Sequence, residues 1–327
     1  MNEKIDILMT TYNTKIDFLN QQIESILKQT YNNFNLIISD DCSTKREVID
    51  ILKKYENKDK RIKLYLQKKN LGYNKNFEFL LSKSTQEYIM FSDHDDVWYP
   101  NKVEKTFKTL KEKRVDMVYC NCRQIDEKGN ILKENYFKYK HVPMIDGKNR
   151  LALFRCVGIG CSQMITKKIK DRMLPFKESV IAHDWLASFL AQEEDGMTYI
   201  DEPLFGYRLH LTNVFGGRSL SQNLFKWKEK YGNTYESYLK YRNEKVINKA
   251  YLFGAKMSLD YAKNEKNKEI LKKIIKYYEK LKKANYINFN IIEYFKYLYG
   301  KNQFKEMIKE IVIFHLPLLG YFVFKRT

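Results

Sequence analysis

Three aspartates, Asp93, Asp95 and Asp96, crowd the stretch FSDHDDVW at residues 91–98. They directly follow the apolar run Tyr88-Ile89-Met90-Phe91, which reads as the end of a buried strand. Crowded carboxylates repel one another, and beside an apolar core they carry a desolvation cost as well. Something positive is expected among them, a lysine or arginine or a metal ion, unless water on an exposed turn suffices. Asp40-Asp41 forms a second acidic pair after the run Phe34 to Ile38, and Thr10-Thr11-Tyr12-Asn13 brings polar groups to a third strand end.

The elements that must position these groups follow from hydrophobic periodicity. Residues 4–12, 34–38, 61–67, 87–92 and 116–121 read as strands. Residues 16–29 carry Phe18, Leu19, Ile23, Ile26 and Leu27 at helical spacing, and 46–56, 74–82 and 100–112 also read as helices. Strand and helix alternating with short connections predict a parallel sheet covered by helices on both faces. Ligands of such sheets bind outside the carboxyl ends of the strands, where all three polar sets fall. No G-x-G-x-x-G follows the first strand and no G-x-x-x-x-G-K-[ST] occurs, which disfavours a Rossmann dehydrogenase and a P-loop NTPase.

A length of 327 residues with 44% apolar composition allows one large domain plus an appendage. The five cysteines, Cys42, Cys120, Cys122, Cys156 and Cys161, are odd in number and lack C-x-x-C spacing, so reduced thiols in a cytoplasmic protein without structural zinc are expected. The N-terminus enters a strand at once and shows no cleavable signal. The net charge of +19 is uneven: residues 219–327 hold 23 lysines and arginines against 10 acidic residues, a net +13, leaving +6 for residues 1–218. We therefore expect a first domain over 1–218 and a basic α-helical region over 219–327. Residues 270–281 put Ile270, Leu271, Ile274, Ile275, Tyr278 and Leu281 on one face, and 304–314 repeat the pattern. The apolar tail 311–324, IVIFHLPLLGYFVF, is too short and broken to span a bilayer. It suits a membrane surface, with a second copy of the chain or the protein's own core as the other partners. A basic surface can meet anionic lipid, a phosphorylated substrate or nucleic acid.

Asp40-Asp41-Cys42-Ser43 after a strand, followed by Asp93-His94-Asp95-Asp96-Val97-Trp98, resembles family 2 glycosyltransferases of the GT-A fold. Met9 to Asn13, Ser25 to Tyr31, Asn70-Leu71-Gly72, Gly160-Cys161-Ser162, His183-Asp184-Trp185 and Ile200 to His210 match in order, so the resemblance covers residues 3–215. It implies a mixed, mainly parallel sheet flanked by helices and an inverting sugar transfer. It implies that the D-x-D binds Mn²⁺ or Mg²⁺ through the diphosphate of a nucleotide sugar, the ion acting as a Lewis acid on the leaving group. Asp95 would be the direct ligand and Asp93 would touch the ribose or the ion's water shell. Asp96 would orient the loop or touch the donor sugar, and His94 would be an exposed spacer. His210 would join the metal and Arg208 the diphosphate. Thr10, Tyr12 and Asn70 would line the nucleotide pocket. There Asp41, with Asp40 beside it, would accept the N3–H of a pyrimidine, which uracil and thymine present and cytosine does not. Asp184 would be the base that takes the acceptor's proton, in the first turn of a helix whose dipole favours a carboxylate; a helix cap is the plainer role for it. Cys42 departs from the family's usual glycine, and is tolerable there if its φ stays negative.

The activity implied is transfer of one hexose or 6-deoxyhexose from a UDP- or dTDP-sugar, dTDP-rhamnose foremost, to a hydroxyl of a cell-surface polysaccharide or a lipid-diphosphate-linked glycan. The site of action would be the cytoplasm, at the inner face of the membrane. A basic nucleic-acid or ligand-binding module on an inactive scaffold is the contrasting reading. The intact acidic set argues against it, and against nucleic acid as a partner. A nucleotidyltransferase would carry a glycine-rich basic loop after the first strand, and MTTYNTKID does not.

Overall fold

The computed structural model describes residues 3–140, 144–147, 150–153, 156–210 and 220–283. The chain divides into two compact units, residues 1–147 with 156–210, and 148–155 with 211–327.

In the first unit β1 (Ile5–Thr11) is buried along its whole length, as a strand covered on both faces must be. Its one buried carboxylate, Asp6, accepts hydrogen bonds from Asn35 Nδ2 (2.8 Å), Ser84 Oγ (2.8 Å) and the Thr85 amide (2.9 Å). α1 (Ile16–Leu27) buries Phe18, Leu19, Ile23 and Ile26. There follow β2 (Phe34–Asp40), α2 (Arg46–Lys58), β3 (Ile62–Leu66), α3 (Tyr73–Lys83), β4 (Tyr88–Ser92), β5 (Val97–Trp98), α4 (Lys102–Lys113), β6 (Met117–Ile125), β7 (Ile131–Lys133) and α5 (Tyr136–Lys140). Then come β8 (Gln163–Thr166), α6 (Lys167–Met173), α7 (His183–Glu193) and β9 (Met197–Arg208).

The strands form one sheet in the order β3-β2-β1-β4-β8-β6-β9-β5, with β7 added beside β6. β3, β2, β1 and β4 are parallel, whereas β8 runs antiparallel to both β4 and β6, so the sheet is mixed. The wholly parallel sheet that alternation predicts is interrupted by β8, whose four residues are too few to show a period. Register sets the site. Thr11 faces Asp40 across β1 and β2, and Met9 faces Ser92 across β1 and β4, so the loops after β1, β2 and β4 leave the same edge side by side. Pairing of Val97 with Gly206 brings the end of β9 to the same place.

The described part of the second unit is helical: α8 (Leu220–Tyr231), α9 (Tyr235–Tyr241), a π-helical stretch (Arg242–Leu252), α10 (Phe253–Tyr261) and α11 (Glu265–Lys283). α11 buries Leu271, Ile274, Tyr278 and Leu281, the face its spacing predicts. Arg242 is buried and donates to the Leu281 carbonyl at 2.6 Å. The stretches 304–314 and 311–324 lie outside the described residues. None of the described helices is long and apolar enough to cross a membrane.

Candidate active site

The loops after β1 and β2 are tied together by side chains. Thr11 Oγ1 donates to Asp40 (2.8 Å), and so do the amide and hydroxyl of Ser43 (2.7 and 2.6 Å). Asp40 thus closes the turn through its own carboxylate, as aspartates at such positions do. Asp41 is buried and accepts the amides of Leu71 (2.7 Å) and Gly72 (2.9 Å), and its carbonyl accepts Asn70 Nδ2 (3.1 Å). Each Asp41 oxygen then has a second lone pair for one more donor. Thr10 is buried, while Tyr12 is 46% exposed and offers a ring at the mouth of this corner. Cys42 has φ +64°, so the condition for an unstrained cysteine is not met: a non-glycine residue occupies the left-handed region.

The acidic loop after β4 answers the question of its counter-charges with protein groups. His210 Nε2 lies 2.6 Å from Asp95 Oδ2. Burial alone would raise Asp95, but His94 and the bond to His210 hold it below the usual carboxylate range. His94 is half-buried, not an exposed spacer, with its Nδ1 3.0 Å from the Thr10 carbonyl. Arg208 is fully buried. Its Nε donates to the Asp95 carbonyl (2.7 Å), its terminal nitrogens to the Glu127 carbonyl (2.8 Å) and Gln21 Oε1 (2.6 Å), and its amide to Asp96 (3.1 Å). It clasps the loop from below, where the sequence reading places it on the diphosphate; β9 pairs Arg208 with Ile125 and so turns the side chain inward. Burial, then the charges of Asp95 and Asp93, push Asp96 well up; burial and then the Asp95 charge raise Asp93 as well.

Beneath them lies a group the sequence reading missed. Lys102 is fully buried, donates to the Cys161 carbonyl, and sits 3.5 Å from the Trp98 ring centroid and 4.2 Å from that of Phe205. Burial pulls its pKa down, while the surrounding thiols and Asp96 oppose that. Its one signal in the sequence is that it falls on the same face as Thr106 and close to Val103, at the start of α4.

Among the described residues, the ligand atoms of Asp93, Asp96 and Cys161 lie within 4.8 Å of one another, and Asp96 Oδ2 is buried without a hydrogen-bond partner. The two carboxylates of this group, with one Asp96 oxygen unpartnered, fit Mg²⁺ or Mn²⁺, which take few protein carboxylates and fill their shell with phosphate oxygens and water. The Cys161 thiol is too soft a ligand for them. Among the described residues Asp95 and His210 do not join this group.

Asp184 stands in the first turn of α7, with Ala182 as the residue that precedes the helix. Its Oδ2 accepts the Gly160 amide (3.1 Å) and its Oδ1 the Trp185 amide (2.8 Å). It is near enough to Asp93 for its charge to contribute to raising that group. His183 beside it is buried, stacked 3.9 Å from the Phe77 ring and edge-on to Phe91 at 4.8 Å. A Cβ at Gly160 would come within 2.8 Å of the His183 ring, so that position needs glycine for lack of space. Trp185 is buried at 8% exposure, which makes it part of the packing. The structure thus brings Asp93, Asp95, Asp96, Asp184 and His210 to one edge, with Thr10, Tyr12, Asp40, Asp41 and Asn70 along it.

The family model of Glycosyl transferase family 2 matches residues 6–174. An uncharacterized glycosyltransferase of Methanocaldococcus jannaschii is 30% identical over 230 residues, 68% of this chain and 77% of that protein. A dTDP-rhamnosyl transferase of Shigella flexneri is 27% identical over 228 residues, 64% of this chain and 73% of that protein. Some other relatives are much longer, and the chain spans as little as 18% of one of them. Among solved structures, S. aureus TarS 1-349 in complex with UDP-GlcNAc aligns with a TM-score of 0.53 at 18% identity, over 79% of this chain and 71% of that one. A mannosyltransferase from Pyrobaculum calidifontis in complex with GDP-Man and Mn²⁺ aligns at 0.51 and 14% identity, over 73% and 64%. At such identities these two show the fold, a GT-A-like sheet with flanking helices. The family match spans more than half the chain and takes in the acidic loop at the sheet edge, and from it the assignment follows: the chain belongs to glycosyl transferase family 2 and is a glycosyltransferase.

Proposed function

We propose that the chain moves one hexose or 6-deoxyhexose, with inversion, from a UDP- or dTDP-sugar to a hydroxyl of a surface polysaccharide or lipid-diphosphate-linked glycan. The observation that carries this reading is the convergence of two acidic groups from distant parts of the chain: the loop after β4, whose Asp93 and Asp96 gather with Cys161 within 4.8 Å, and Asp184 at the start of α7, which accepts the amide of the adjacent Gly160 at 3.1 Å.

The pyrimidine lies against Tyr12 and Thr10, and Asp41 accepts its N3–H with the lone pairs that Leu71 and Gly72 leave open. Asn70 and Asp40 hold that corner in shape. Asp95 with Asp93 would hold Mn²⁺ or Mg²⁺, His210 would aim the Asp95 carboxylate through the bond to its Oδ2, and Asp96 would support them. Such an ion, when bound, offsets the negative charge that grows on the departing diphosphate. Asp184 takes the proton of the acceptor hydroxyl as its oxygen bonds to the anomeric carbon from the face opposite the diphosphate. The old carbon–oxygen bond breaks with its electron pair leaving on the diphosphate. Arg208 acts through Asp95, whose carbonyl it holds. The Shigella relative supports dTDP-rhamnose as the first donor to try. The basic C-terminal region suits an acceptor at the inner membrane face, by attraction to anionic headgroups.

The test is donor binding and hydrolysis over UDP-, dTDP-, GDP- and CMP-sugars with Mn²⁺, Mg²⁺ or EDTA. Metal-dependent release of UDP or dTDP from one donor, lost in Asp95→Ala, is expected. Release of GDP or CMP would overturn the role of Asp41, and no binding of any nucleotide sugar would overturn the whole reading.

A further inference from the structure

We infer that the first turn of α3 positions the catalytic base: Tyr73 and Asn74 hold the backbone that leads into α7 and thereby set where the Asp184 carboxylate stands. The inference rests on the reading of Asp184 as the base. Tyr73 Oη donates to the Ile181 carbonyl at 3.0 Å, and Asn74 Nδ2 donates to the Val180 carbonyl at 3.0 Å. Val180 and Ile181 immediately precede Ala182, from which α7 starts. One turn further along α3, Phe77 stacks on His183 at 3.9 Å. Three residues of one short helical surface therefore clamp three residues of the segment ending in Asp184.

The same turn is fixed from its other side by the nucleotide corner. Asp41 accepts the amides of Leu71 and Gly72, and Gly72, at φ +79°, makes the bend from which α3 starts. α3 is thus a rigid strut between the carboxylate assigned to the donor base and the segment that carries the catalytic base. Burial, and then the charge of Asp184, push the Tyr73 phenol up to about 12, so it keeps its proton as a donor at neutral pH. A general base must lie within hydrogen-bond reach of the proton it removes. Loosening this clamp moves Asp184 and leaves Asp41 in place, so the loss falls on turnover and spares donor binding.

The experiment measures hydrolysis and binding of dTDP-rhamnose or UDP-glucose, whichever the donor panel selects, with water standing in for the acceptor hydroxyl. Variants are Tyr73→Phe, Asn74→Ala, both together, and each in an Asp184→Asn background. In the double variant kcat is expected to fall about tenfold or more, with donor KM and directly measured donor affinity within about twofold of the parent. In the Asp184→Asn background the same substitutions are expected to cost nothing further, since residues acting through one group are not additive. Unchanged kcat in the double variant, beside an inactive Asp184→Asn, overturns the positioning role alone. Donor affinity falling as far as kcat overturns it too, because the clamp would then serve the nucleotide. Full turnover in Asp184→Asn would instead overturn the assignment of the base.

Discussion

His210 Nε2 and Asp95 Oδ2 stand 2.6 Å apart, joining the chain just beyond β9 to the acidic loop after β4. The pair is closed off from solvent, both side chains being about nine-tenths buried. An Asp95 oxygen is thereby aimed and kept in its acceptor form. Removing such an outer partner of a ligating carboxylate typically weakens metal binding by about 10- to 100-fold. His210→Ala is therefore expected to raise the Mn²⁺ or Mg²⁺ concentration for half-maximal donor hydrolysis by that factor. Titrating metal against rate in both proteins is the check, and overlapping curves would remove His210 from the site.

Cys42 sits at φ +64° in the turn that Asp40 and Ser43 close. A side chain with Cβ in the left-handed region costs roughly 1–2 kcal/mol, and glycine avoids that cost but loses more freedom on folding. Cys42→Gly is expected to be neutral or to stabilise by about 1 kcal/mol, with donor affinity kept. Cys42→Val, branched at Cβ, is expected to destabilise by more than about 1 kcal/mol. Urea melts of the two variants test the pair, and destabilisation by glycine would show that the cysteine thiol holds the turn.

The strands and helices up to β6, the two-residue β5 apart, were legible because each carries an apolar period, and the polar strand ends could be read as a site because they follow strands that alternate with helices. Arg208 and Lys102 show where that legibility stops. Arg208 ends an apolar strand and precedes a loop, the usual place for an arm that reaches a ligand, yet its side chain donates to the carbonyls of Asp95, Asp126 and Glu127 and to Gln21 Oε1. Those partners come from three separate segments, and no local spacing encodes them. Lys102 looks like one of many lysines on a helix, and it is the Cys161 carbonyl with the rings of Trp98 and Phe205 on β5 and β9 that lets it be a buried cation. The antiparallel β8 was missed for a related reason: its partners β4 and β6 fix its direction, and its own four residues do not. Beyond β9 the sequence gives the amphipathic face of α11 and little about its neighbours.

His183 supplies an acid-sensitive term in stability. Burial pulls its pKa down from 6.5 to about 4, and the adjacent Asp184 charge opposes this only in part. Neither ring nitrogen has a hydrogen-bond partner, so the folded protein keeps the ring neutral between Phe77 and Phe91. The unfolded chain binds a proton there below pH 6.5, so it holds more protons than the fold between 6.5 and 4, and stability falls as pH falls through that window. The full difference is at most about 3 kcal/mol. His183→Phe keeps an aromatic ring on Phe77 and removes the titration. Relative to the parent, it should therefore gain stability as pH drops from 7.5 towards 4.5, whatever its offset at neutral pH. Urea melts of both proteins across that range measure the gap, and a gap that stays constant would mean that His183 takes up its proton equally well in the folded state.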